Sequence, residues 1–173
     1  MKRAVQNKKR GTELTLVIIK PDGVKRNLVG RILQRFEDAG MKIVGMKMRW
    51  VDEGHAKKHY TKDLAKRRGK RVRDLSVEFL QSGPVIAFVV EGANVIENVR
   101  KIVGATEPKS AAPGTIRGDF AHQSFSYTDA KNKIIGNLIH ASSDAVDAKR
   151  EVWLWFNDDE IFEYATVHEA HTI

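Results

Sequence analysis

Cysteine is absent from the 173 residues, which excludes disulfides, thiolate catalysis and cysteine metal sites together. Long apolar runs are absent too: the longest, Val85 to Val90, is far short of the roughly 20 residues that span a bilayer. The basic N-terminus precedes only the short run Leu14 to Ile19, with no small-residue cleavage pattern, so the sequence predicts neither a signal peptide nor a membrane partner. A soluble, cytoplasmic protein is expected. Neither a Gly-x-x-x-x-Gly-Lys-Ser/Thr loop nor a Gly-x-Gly-x-x-Gly fingerprint occurs. Any phosphate must then be held by side chains rather than by a glycine-rich backbone cradle.

What is present is ordinary globular material, 42% hydrophobic and 30% charged, in a length that suits one domain. The formal net charge of +8 is not ordinary and points towards polyanions. It is unevenly placed. Residues 1–10 hold five basic side chains (Lys2, Arg3, Lys8, Lys9, Arg10) and no acid, and residues 62–73 hold seven (Lys62, Lys66, Arg67, Arg68, Lys70, Arg71, Arg73) against Asp63 alone. The rest of the chain carries 18 basic and 21 acidic residues, a net of −3. The basicity belongs to a tail and one stretch, not to the body.

Hydrophobic periodicity predicts the elements. Leu14 to Ile19 is a β-branched run ended by Lys20-Pro21-Asp22-Gly23, a strand that delivers a lysine to a tight turn. Val29, Ile32, Leu33 and Phe36 mark a helix stopped at Gly40, and Ile43 to Trp50 alternates as a strand. Residues 53–66 read as a polar helix, and Leu75, Phe79 and Leu80 as a helix closed by Ser82-Gly83-Pro84. Val85 to Val90 is a core strand, followed by a helix on Val95, Ile96, Val99, Ile102 and Val103 that Gly104 caps. Residues 105–137 lack a sustained period, which marks a long loop and a functional region. After the step Leu138-Ile139 comes His140; Ser142 or Ser143 is then predicted to cap a last helix whose apolar side is Ala145, Val146, Val152, Trp153 and Phe156. Of Trp153 and Trp155, one is expected in the core and the other at its edge. The order suggests an α+β sandwich with one small sheet.

Four separated motifs, in this order, resemble the nucleoside diphosphate kinase family: Lys20-Pro-Asp-Gly23, Gly83-Pro84 after a helix, Gly114-Thr-Ile-Arg-Gly-Asp-Phe120, and Asn137-Leu-Ile-His140-Ala-Ser142. The resemblance covers residues 13–165, between the basic tail 1–12, expected to be disordered, and a C-terminal tail 166–173. It implies a ferredoxin-like α/β sandwich around a four-stranded antiparallel sheet covered by helices. It also implies transfer of the terminal phosphate of a nucleoside triphosphate, chiefly ATP, to a nucleoside diphosphate. His140 matches the phosphorylated nucleophile of a ping-pong mechanism, Glu151 the carboxylate that orients it, and Ser142 the hydroxyl between them. An imidazole suits the task, because a neutral ring nitrogen is available near neutral pH. Lys20, Tyr60, Arg100, Thr106 and Arg117 match phosphate contacts, and Asn137, with Lys20, the ribose contacts. The resemblance further implies Mg2+ carried on the nucleotide phosphates without direct protein ligands, and a homo-oligomer, a hexamer before a tetramer.

Three departures stand out. The family's aromatic base-stacking residue is missing from Ala65 to Val72, so Val72, or Leu75, is the expected base contact, with weaker nucleotide binding. Residues 122–136 form an insertion beside the site, and 62–73 forms a second. Ser143 stands where the family commonly has Asp, with Asp144 one position late. His55 and His59 share an i, i+4 face without a third ligand nearby, and His168 and His171 read as a solvated tail. The alternative reading is a catalytically weak nucleic-acid-binding module that uses the basic tail and the 62–73 stretch; a third option is phosphohistidine relay to another protein.

Overall fold

The computed structural model describes residues 11–172, and the expected tail falls outside it except for residues 11 and 12. Four strands, β1 (Thr12–Ile19), β2 (Lys42–Arg49), β3 (Val85–Ala93) and β4 (Ile139–Ala141), form an antiparallel sheet in the order β2-β3-β1-β4. The helices are, in chain order, α1 (Pro21–Lys25), α2 (Val29–Glu37), α3 (Glu53–His59), α4 (Lys62–Arg68), α5 (Lys70–Gln81), α6 (Val95–Val103), α7 (Ile116–Phe120), α8 (Phe125–Ala130), α9 (Ala145–Trp155) and α10 (Glu169–Thr172). This is the expected ferredoxin-like α+β sandwich.

Period-two alternation sorts the central strands onto two cores. Val17 and Ile19 of β1 with Phe88 and Val90 of β3 pack beneath α2 and α6, through Ile32, Phe36, Val95 and Val99. Leu16 and Ile18 with Ala87 and Val89 pack on the other face against α3, α5 and α9, through Ala56, Leu80, Val152 and Trp155. Both faces of β1 and β3 are covered, which is why these runs read as continuous hydrophobic stretches rather than as alternating ones.

Several sequence expectations need correction. The tight turn after Lys20 is a short helix, α1, with Pro21 at its first position, where a missing N–H is tolerated. The polar helix expected over 53–66 breaks at Tyr60 and Thr61, and the basic stretch beyond is itself helical, α4 and α5 meeting at Gly69 (φ +92°). The supposed loop 105–137 contains a 3₁₀ turn (Pro108–Ser110), α7 and α8. Those helices are too short to show a period. Neither Ser142 nor Ser143 caps α9; the Asp144 carboxylate does, accepting from the backbone N–H groups of Val146 and Asp147. Val146 is exposed, and the core side of α9 is Ala148, Val152 and Trp155, with Trp153 at its edge. The end of the chain returns to the sheet: Tyr164, just before the expected tail, donates to the Ile43 carbonyl (2.7 Å), and within the tail the Glu169 carboxylate pairs with buried Lys42 (2.9 Å).

Candidate active site

His140 sits in the middle of the three-residue strand β4, paired with Ile18 of β1. Alternation turns its neighbours Ile139 and Ala141 into the α2/α6 core and His140 itself to the opposite face, towards α3 and α9. Leu138, just before it, holds a left-handed φ of 67°, uncommon for a bulky residue, pinned by Lys20 N–H to the Leu138 carbonyl (2.8 Å) and Leu138 N–H to the Asp22 carboxylate (3.0 Å).

One turn below the end of α9, Glu151 is buried and meets the histidine. Its Oε2 lies 2.7 Å from His140 Nε2 and accepts from Ser142 Oγ at 2.7 Å, while Oε1 accepts from Arg150 at 3.0 Å. Burial pushes the carboxyl pKa up, but the charge and hydrogen bond of His140, with help from His59 and Ser142, outweigh it and hold the pKa at about 2. An ionised carboxylate only accepts, so Nε2 carries the proton and the Nδ1 lone pair of a neutral His140 is free. The expected trio of His140, Glu151 and Ser142 is thus brought together.

His59, considered only alongside His55 in the sequence, is fully buried with its ring 4.5 Å from that of His140, edge to face. Trp155 Nε1 donates to its Nδ1 (3.4 Å). Burial, and then the neighbouring His140 charge, pushes its pKa well down, so it stays neutral. Its adjacency to Tyr60 was the one signal of a place in the site.

The cationic floor comes from three chain segments. Lys20, at the end of β1, is buried and donates to Asn137 Oδ1, and Asn137 Nδ2 donates to the Thr106 carbonyl (2.7 Å). Burial brings the Lys20 pKa down to about 8. Arg117 of α7 is buried and spends three donors on carbonyls of Asn137 (3.3 Å), Gly104 (2.9 Å) and Ile139 (2.7 Å). A guanidinium has five N–H donors, so two remain for a ligand. Gly118 lets α7 approach: a Cβ there would run into the Ala112 carbonyl.

These residues line a cavity of about 780 Å³ with Tyr60, Arg100, Thr106 and, on the α4/α5 wall, Leu64, Val72 and Leu75. Residues 122–136, expected to form an insertion, also line it, contributing Phe125, Lys133 and Ile134. Burial keeps the Tyr60 hydroxyl protonated, with its pKa well above the usual range. All the sequence-nominated residues therefore border one space except Ser142, which is fully buried behind it and reaches it through Glu151. Phe125 and Ile134 were missed as lining residues because nothing local in a stretch without a sustained period tells where it folds back.

The donors present do not suit a resident magnesium ion. Among the described residues, the one triplet close enough to chelate is His59, His140 and Glu151, two nitrogens and a carboxylate of which His140 and Glu151 are already bonded to each other, whereas magnesium takes oxygen ligands. Asp144, the carboxylate one position late, is consumed as the α9 cap.

A carboxylate-held histidine with a free nitrogen, facing buried cations across an open cleft, is an arrangement for handling a phosphoryl group. A ferredoxin-like fold carrying it defines a class of phosphotransferase. The sequence model of the nucleoside diphosphate kinase family matches residues 13–161. A nucleoside diphosphate kinase of Borreliella burgdorferi is 52% identical over 151 residues, 87% of this chain and 90% of that protein. One of Pyrococcus abyssi is 52% identical over 88% of this chain and 89% of its own length. A solved structure, a transition-state mimic of the Borrelia burgdorferi enzyme with bound vanadate and ADP, superposes with a TM-score of 0.93 at 48% identity, covering 95% of this chain and 98% of that one. An NDP kinase from Pyrobaculum aerophilum superposes with a TM-score of 0.82 at 34% identity, covering 88% and 100%. The chain belongs to the nucleoside diphosphate kinase family, enzymes that move a phosphoryl group between nucleotides.

Proposed function

We propose that this enzyme transfers the terminal phosphate of a nucleoside triphosphate to a nucleoside diphosphate through a phosphohistidine at His140. The observation that carries this reading is the 2.7 Å contact between His140 Nε2 and the buried, ionised Glu151. With Nε2–H held there, Nδ1 attacks the γ-phosphorus. The N–P bond forms as the bond to the β,γ-bridging oxygen breaks, and the diphosphate departs with that electron pair. Glu151 offsets the positive charge that the ring acquires. A β-phosphate oxygen of a second diphosphate then attacks phosphorus, the N–P bond breaks, and the imidazole returns neutral. One site serves donor and acceptor in turn.

Lys20, Arg100 and Arg117 meet the charge on the transferring phosphoryl oxygens, and Tyr60 and Thr106 supply neutral donors to the same chain of phosphates. Asn137 with Lys20 holds the ribose, and Val72 with Leu75 forms an aliphatic wall for the base. Mg2+ carried on the nucleotide's own phosphates would offset their charge, the one chelating cluster among the described residues, His59, His140 and Glu151, being unsuited to it.

Incubation with γ-labelled ATP should give an acid-labile protein phosphate that a nucleoside diphosphate discharges. His140→Gln should not label, and Glu151→Gln, which keeps the shape but loses the charge, should label roughly a hundredfold more slowly. Equal labelling of His140→Gln would refute the assignment.

The same reading includes assembly with copies of this chain, as a hexamer. Supporting it is the edge strand β2, whose Met46 and Met48, followed by Trp50, leave an apolar stripe more than half exposed. Light scattering should return a mass several times 19.5 kDa, and Met48→Glu should lower it.

A further inference from the structure

The basic side chains of the 62–73 stretch take no part in the chemistry described, and the fold divides them. Lys62, Lys66 and Lys70 are exposed and outside the cavity lining, whereas Arg67, Arg68 and Arg71 border the mouth of the cleft. Arg67 is paired with Asp63 at 2.6 Å. Arg71 meets only the neutral Asn132, across from it on the 122–136 insertion, and Arg68 has no ion-pair partner among the described residues. Lys133, next to Asn132, adds a third cation without an ion-pair partner among the described residues, the lining acids being Asp63, Asp129, Asp147 and Glu151. The two stretches that depart from the family pattern thus face each other and place three un-neutralised cations around one opening.

Like charges gathered at a concave rim repel one another, and their field is concentrated in the opening. The body of the chain is not basic: outside residues 1–10 and 62–73, and with Lys133 counted in it, its net charge is −3. At physiological ionic strength, charges act over about 8 Å, so only cations beside the path into the cavity matter. Lys20, Arg100 and Arg117 already serve the reacting phosphates.

We infer that Arg68, Arg71 and Lys133 are capture residues, which draw the polyphosphate of an incoming nucleotide to the mouth of the cleft and raise its association rate without entering the transfer step. The inference rests on the cavity's being the nucleotide site.

The test is stopped-flow association of a fluorescent nucleoside diphosphate with the full chain and with Arg68→Gln/Lys133→Gln, over a range of ionic strength. The double variant should associate about tenfold more slowly at low salt. It should converge with the parent near 1 M salt, where the screening length is about 3 Å, and dissociate at the parent rate. Arg68→Lys should keep the fast association, because a field needs charge and not a guanidinium fork. An unchanged association rate, a loss equal at all salt concentrations, or an effect confined to dissociation would overturn the inference. So would an unchanged nucleotide rate together with lost, salt-sensitive polynucleotide binding, which would make the rim a nucleic-acid surface. Phosphate labelling of the same variants separates the two readings. If the parent protein fails to label, the role of His140 falls whatever the association rates show; if labelling is intact and association unaltered, the capture role alone falls.

Discussion

Burial brings the Lys20 ammonium to a pKa of about 8, inside the range over which an enzyme is assayed. Its sign decides a pH profile: the phosphates need the protonated form, so nucleotide capture by the free enzyme weakens as pH rises through 8. A plot of log kcat/KM against pH should bend downward there, and since bound phosphate raises the lysine pKa, kcat should hold to higher pH. Lys20→Met should lose that limb. At the same scale, the sequence nominated His140, Glu151, Ser142, Lys20, Arg117 and Asn137, because their motifs travel with the fold. Which ring nitrogen of His140 is free was beyond it: that follows from the position of Glu151, eleven residues away and on another element.

Helix α9 brings Glu151 to β4, and its first turn is held by Asp144, whose carboxylate accepts two backbone N–H bonds at 2.9 Å. Asp144→Ala should cost about 1 kcal/mol of stability, read as a lower denaturant midpoint at unchanged slope, with labelling of His140 retained. A much larger loss of labelling than of stability would place Asp144 in the chemistry instead. The sequence pointed to a serine cap because Ser142 and Ser143 precede the helix; Ser142 is instead drawn inward to Glu151, and the N-cap position falls one residue past Ser143, at Asp144. Helices α7 and α8 escaped notice for a related reason. Five and six residues long, they complete no amphipathic pattern, and tertiary contacts define them, such as the Arg117 bonds to three carbonyls.

Across the whole molecule, acid should be the more damaging direction. His59 and His55 are buried neutral, His55 with its pKa brought down to about 4 chiefly by burial. An unfolded chain binds protons at these sites below about pH 6.5 and the folded one does not, so stability is lost as pH falls through that point. Each histidine contributes a slope of about 1.4 kcal/mol per pH unit, running down to about pH 4 for His55. Glu151 works in the same direction lower still, its carboxylate favoured by the fold until pH approaches 2. Urea midpoints between pH 7 and pH 4.5 should trace this decline, and His55→Gln should flatten it; a flat parent profile would contradict the burial of these rings.

Four motifs in order were enough to determine the family and its ferredoxin-like sheet, and to nominate His140 as the centre of the site, because strand alternation and motifs are written along the chain. The tertiary structure alone decided what distant segments do to one another. It set His59 against His140, gave Glu151 its low pKa inside a buried site, and folded the 62–73 and 122–136 stretches into facing walls of one cleft. A charge of +8 counted along the sequence carries no direction; the fold aims part of it at an opening, and electrostatic effect depends on that distance and placement.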